Sequence, residues 1–129
     1  MNIVTDTHPW IWFLTANPRL SPKAKAALSD PTNLIIIPSI VTLEIKYLYE
    51  RKRIPLSFED ILLQIETGEN IILHPLDISV AIFAPTRLDI HDAIIVGTAL
   101  CLSNELGQSV SLVTVDSTIS NSGFVKVIW

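Results

Sequence analysis

Several things are scarce in this sequence. Its 129 residues include one cysteine and four glycines, and only 17% are charged. A lone Cys101 cannot form an internal disulfide, so a reducing, cytoplasmic setting is expected. Four glycines leave no glycine-rich loop, which excludes nucleotide binding of the P-loop or Rossmann kind. The most apolar stretch, Ala93 to Leu102, is entered through His91 and Asp92 and falls short of the roughly 20 residues of a membrane span. No basic segment precedes the first apolar run, and Asp6 interrupts it, so no secretory signal is expected. Serine-based catalysis finds no nucleophile-elbow pattern.

What the sequence does have is apolar mass. Hydrophobic residues reach 49%, which excludes disorder and fits one α/β-sized domain. A mean hydropathy of +0.45 points to apolar surface covered by a second copy or a partner. The net charge of −4 is unevenly spread: residues 1–53 carry seven cations against four acids, and residues 54–129 carry two against nine. The cations Arg19, Lys23, Lys25, Lys46, Arg51, Lys52 and Arg53 fit either a polyanion footprint or the solvated faces of two helices.

Strand and helix signals alternate along the chain. Asn2 to Asp6 reads as a buried strand, and Thr7 can cap a helix to about Ala16 with Pro9 in its first turn. Ser21-Pro22 opens a second helix that stops near Asp30-Pro31. Asn33 to Ile37 is a strand, and Ser39 begins a helix to about Arg51. Ser57 with Asp60 forms an acidic capping box for a fourth helix that Gly68 ends. Ile71 to His74 is a strand, Asp77 to about Ala84 a short helix, and Ile90 to Leu106 a long helix closed by Gly107. Ser111 to Val115 and Phe124 to Ile128 are the last strands. Continuous apolar strands alternating with helices predict a three-layer α/β domain with a mostly parallel sheet.

Four acids occupy positions where solubility does not require them. Asp6 and Asp116 sit at carboxyl ends of predicted strands, where open parallel sheets bind ligands. Glu44 shares a helix face with Ile40, Tyr47 and Leu48, and Asp92 lies over Ile95 and Val96. Asp89 has a plainer reading as the N-cap of that helix, with Asp92 three residues on. Asp6, Glu44, Asp92 and Asp116 brought together would repel one another without a cation. Oxygen ligands with no cysteine or histidine grouping suit Mg²⁺ or Mn²⁺.

These residues carry a resemblance. Ile3-Val4-Thr5-Asp6-Thr7-His8, Ser39-Ile40-Val41-Thr42-Leu43-Glu44-Ile45, Asp89-Ile90-His91-Asp92-Ala93-Ile94-Ile95-Val96-Gly97-Thr98-Ala99-Leu100 and Leu112-Val113-Thr114-Val115-Asp116 resemble the four acidic blocks of a PIN domain, in order and spacing. Val125-Lys126-Val127-Ile128-Trp129 is similar to the last strand of VapC-type toxins. The resemblance spans the chain. It implies a five-stranded parallel sheet in the order 3-2-1-4-5, an Mg²⁺- or Mn²⁺-dependent ribonuclease, and a toxin held by a small antitoxin. Its acidic residues fall on Asp6, Glu44, Asp92 and Asp116, and Thr114 matches the hydroxyl residue that orients the site. Many relatives have arginine where Ala93 stands, and His91 is unusual beside Asp92.

Other readings fit less well. A histidine-aspartate phosphohydrolase would be all-helical and richer in histidine than His8, His74 and His91 allow. An aspartyl-nucleophile phosphotransferase would need a second acid where His8 stands. A non-catalytic PIN-like module, binding RNA or a protein, would be expected to have lost one of the four acids. Cys101 reads as inert core. Trp10, Trp12 and the apolar helix after Ser57 are the expected surface of a homodimer, and the seven cations the expected RNA-tracking surface.

Overall fold

The computed structural model describes residues 1–129. Its elements are β1 (Asn2–Thr5), α1 (Thr7–Leu14), α2 (Pro22–Ser29), β2 (Leu34–Pro38), α3 (Ser39–Glu50), α4 (Phe58–Thr67), β3 (Ile71–His74), α5 (Ile78–Phe83), α6 (Ile90–Leu106), β4 (Val110–Val113), α7 (Ser117–Ser122) and β5 (Lys126–Ile128). The five strands form one all-parallel sheet in the order β3-β2-β1-β4-β5. The three-layer α/β arrangement is as the sequence led one to expect, and the strand order is the one the PIN resemblance implied. No helix is long and apolar enough to cross a membrane.

Local chemistry explains most boundaries. Ser21 Oγ accepts from Ala24 N with Pro22 at the first helical position, and the Ser57–Asp60 capping box closes in both directions. Gly107, at φ 61°, takes the left-handed position that ends α6. Gly97 has a packing role instead: a Cβ there would lie 2.9 Å from Ala84 Cα, so its absence lets α6 press against α5.

Four expectations need correction. The cap of α1 is Asp6, not Thr7; Asp6 Oδ1 accepts from Thr7 N at 2.7 Å. Asp89 stands at the N-cap of α6 but makes no side-chain cap bond. The strand before Asp116 ends at Val113, because the chain leaves the ladder when Thr114 Oγ1 accepts from Asp116 N at 3.1 Å. Trp10 is fully buried and stacked on Phe13, 5.5 Å between ring centres, so it is core and not a dimer surface.

The core centres on β1, β2 and β4, whose Ile3, Val4, Ile35, Ile36, Ile37 and Leu112 are inaccessible. Edge strand β3 differs, with Ile72 and Leu73 exposed. Register aligns the carboxyl ends that matter: Thr5 lies opposite Val113, and Asp6 N donates to Val113 O at 3.0 Å. The chain segments after β1 and β4 therefore leave the sheet side by side.

Candidate active site

Asp6 and Asp116 leave the sheet at this point, each serving as an N-cap. Asp116 Oδ1 accepts from Ile119 N at 3.0 Å, opening α7. A cap holds its carboxylate at the sheet edge by a backbone bond, which restricts its rotamers. The fully buried Thr114 ties the two together: its hydroxyl donates to Asp6 Oδ2 at 2.8 Å and accepts from Asp116 N. Glu44 arrives from the middle of α3 and Asp92 from the first turn of α6.

Asp92 and Glu44 both feel their surroundings and a neighbouring acid. Burial pushes the Asp92 carboxyl above its ordinary value, and the charges of Asp116 and Asp6 push it further. Burial also lifts Glu44, with Asp6 adding to the rise, while His91, Thr7 and His8 oppose it. The side chains as placed do not bring three ligating groups of the His, Cys, Asp or Glu type to a common point. The donor chemistry nonetheless fits a hard divalent cation. The donors are carboxylate oxygens, and burial together with neighbouring acids holds two of the carboxyls less acidic than usual.

Three neighbours, of which the sequence had marked only His91 as unusual, were given no role at the sequence level. His91 Nε2 is buried against Glu44 Oε1 without a hydrogen bond, and its Nδ1 lies 3.7 Å from Asp92 Oδ1. The buried hydroxyl of Thr7 faces Glu44 and has no other partner. His8 opens α1 close enough for Glu44 to feel it. The spacing Asp6-Thr7-His8 was the available signal, since the first turn of a helix capped by Asp6 must border the same edge.

The seven cations do not form one surface. Arg19 and Arg53 line a cleft of about 520 Å³ between α1 and α3 that begins at His8. Arg51 stacks over Tyr47 and Lys46 over Phe58. Lys52 lines a neighbouring cavity with Arg53, Ile54 and Pro55, and Lys25 one with Trp12, Ala16, Asn17 and Pro18, so both border the α1–α3 cleft. Lys23 is beside Met1 and Asn33, at the amino ends of the strands. Cys101 is buried core as expected: burial and the neighbouring Glu105 push its thiol up to about 11.

The family model of the PIN domain matches residues 3–124. The chain belongs to the PIN domain family. Two solved structures resemble this PIN domain over nearly the whole of both chains. VapBC2 from Rickettsia felis, bound to a DNA fragment from its promoter, aligns with a TM-score of 0.66 at 14% identity, covering 98% of this chain and 97% of that one. VapBC-1 from nontypeable Haemophilus influenzae aligns with a TM-score of 0.64 at 15% identity, covering 98% and 96%. At such identities the likeness establishes the fold. No curated protein matches the sequence.

Proposed function

We propose that this PIN domain is an Mg²⁺- or Mn²⁺-dependent endoribonuclease, the cytoplasmic toxin of a toxin–antitoxin pair. The observation that carries the reading is Thr114, whose hydroxyl donates to Asp6 Oδ2 and accepts from Asp116 N, tying two of the acids together at the carboxyl edge of a PIN sheet. Asp6 and Asp92 would hold the cation most directly, with Glu44 and Asp116 completing the pocket. When bound, the cation supplies water activation and neutralises charge on the scissile phosphate. The chain's own part is positioning. Thr114 fixes the Asp6 carboxylate, and His91 borders Glu44.

The VapBC neighbours support an antitoxin partner. A homodimer is supported by exposed Leu76, Ile78, Ile82 and Ile90, on and around α5 and at the start of α6. This is a different surface from the one the aromatic residues had indicated.

The test is RNA cleavage by the purified protein with Mg²⁺ or Mn²⁺, with EDTA, and with Asp6→Asn. Cleavage should need the metal and vanish in Asp6→Asn. Products should carry 5′-phosphate and 3′-hydroxyl ends, because water is the nucleophile. Cleavage that persists in EDTA, or 2′,3′-cyclic phosphate ends, would overturn the reading.

A further inference from the structure

Helices α1 and α3 end in the same way. After α1, Asn17 N donates to Trp12 O at 2.8 Å and Ala16 N to Phe13 O at 3.4 Å; after α3, Arg53 N donates to Leu48 O and Lys52 N to Tyr49 O, both at 2.9 Å. Both are Schellman caps, whose left-handed residue is usually glycine. Here those residues are Ala16 at φ 50° and Lys52 at φ 57°, the protein's two positive-φ non-glycine positions. The caps lead into Arg19 and Arg53. Arg53 is itself the last residue of its cap, and Arg19 N is held by Asn17 Oδ1 at 2.9 Å. The two arginines thus stand on fixed backbone at the far end of the α1–α3 cleft.

That cleft starts at His8, two residues after Asp6 in the first turn of α1. Its lining runs from His8, whose charge reaches Glu44, past Trp12 to Arg19, with Leu48, Arg53 and Ile54 opposite. Since α1 has eight residues, the cleft extends about 12 Å at 1.5 Å per residue. Trp12 is half-buried and in contact with two other rings, His8 and Trp129, each 5.9 Å away between centres. Neither arginine is in an ion pair; the protein's ion pairs are those of His91. A second cleft, between α5 and α6, opens beside the start of α6, but its one charged residue is Asp89. A polyanion reaching the acids is admitted on the first side and repelled on the second.

We propose that the α1–α3 cleft is the binding track for single-stranded RNA leaving the acid cluster, with phosphates on Arg19 and Arg53 and a base against Trp12. Aromatic stacking beside a cationic groove is the general physics of single-strand binding, and a duplex keeps its bases stacked inside. This deepens the ribonuclease reading and rests on it. Of the seven expected cations it puts Arg19 and Arg53 on the phosphates, with Lys25 and Lys52 bordering the cleft.

The experiment measures binding, not cleavage. Asp6→Asn protein, free of divalent ions, is titrated with a short mixed-sequence single-stranded RNA, with the same RNA as a duplex, and with a glutamate-rich peptide. Tryptophan quenching and anisotropy are the readouts. The single strand should bind best. Adding Arg19→Ala and Arg53→Ala together should weaken it by tenfold or more at low salt and flatten the slope of log K against log salt by about 1.4, the loss of two phosphate contacts. Trp12→Leu should cost about tenfold, and Trp12→Phe, which keeps a ring, should retain most of the affinity and control for folding. Equal binding of the duplex, or an unchanged salt slope in the double-arginine variant, would overturn the proposal. So would loss of the peptide but not the RNA in that variant, which would assign the cleft to a protein partner. If wild-type protein shows this binding pattern but cuts no RNA with Mg²⁺ or Mn²⁺, the track stands and the nuclease reading falls.

Discussion

Two clefts, one starting at the first turn of α1 and one at the first turn of α6, are opposites in chemistry. The one between α1 and α3 presents His8, Arg19 and Arg53 around a half-buried tryptophan. The one between α5 and α6, about 660 Å³, is lined by Val80, Ala84, Leu88, Ile90 and other apolar side chains, with Ile78 and Ile82 exposed at 75% and 73% on α5. Coulomb attraction acts over a Debye length and screens with salt, whereas apolar burial is short-ranged and indifferent to salt. The two sides are therefore fitted to different occupants, a polyanion and a second apolar surface. The four acids line neither cleft.

The largest effect should come from the four acids. Asp6→Asn should reduce metal-dependent cleavage to background and abolish the rise in melting temperature on adding Mg²⁺ or Mn²⁺; that rise is worth about 2.7 kcal/mol for wild type at one hundred times Kd. A calorimetric scan with and without metal reads it. Next is Thr114→Val, which removes the hydroxyl bond to Asp6 Oδ2 and should lower metal affinity or activity by roughly 10- to 100-fold. Retention of wild-type affinity would mean that the Asp6 cap bond alone suffices.

On the apolar side, Ile82→Glu should convert the proposed dimer to a monomer in light scattering and leave the salt dependence of RNA binding untouched. A variant that stays dimeric would move the interface off α5. The pH dependence of the metal-free protein should be smaller. Glu44 and Asp92 have raised folded-state values, so the folded state holds protons that the unfolded chain has released. The stability they contribute is full below the ordinary carboxylate range and lost as pH rises through their raised values. Metal-free protein should therefore melt lower at neutral pH than at mildly acid pH, and Asp6→Asn should flatten that slope.

The smallest effects are at single backbone positions, and they sharpen the contrast between the clefts. Lys52→Gly relieves a left-handed lysine and should stabilise by about 1 kcal/mol, a few degrees in a thermal melt. Asp89→Ala should stay within about 0.5 kcal/mol of wild type, because Asp89 makes no cap bond.

The elements were legible in the sequence because their signals are local. Ser21-Pro22, Ser57 with Asp60, and Gly107 act within a turn of themselves, and the apolar runs of β1, β2 and β4 need only covering layers. Sequence also placed Asp6 and Asp116 at strand ends, since the end of a strand is a property of the strand. Thr114 was assigned through the resemblance alone, and its bond to Asp6 spans 108 positions. The fate of Trp10 depended on how deep α1 sinks, which residues far along the chain determine. Which of the seven clustered cations line or border the α1–α3 cleft required the relative placement of α1, α2 and α3. Local propensity fixes where a helix starts and stops. Which of its faces meets an acid, a core or solvent is decided by packing between segments that have no sequence relation to one another.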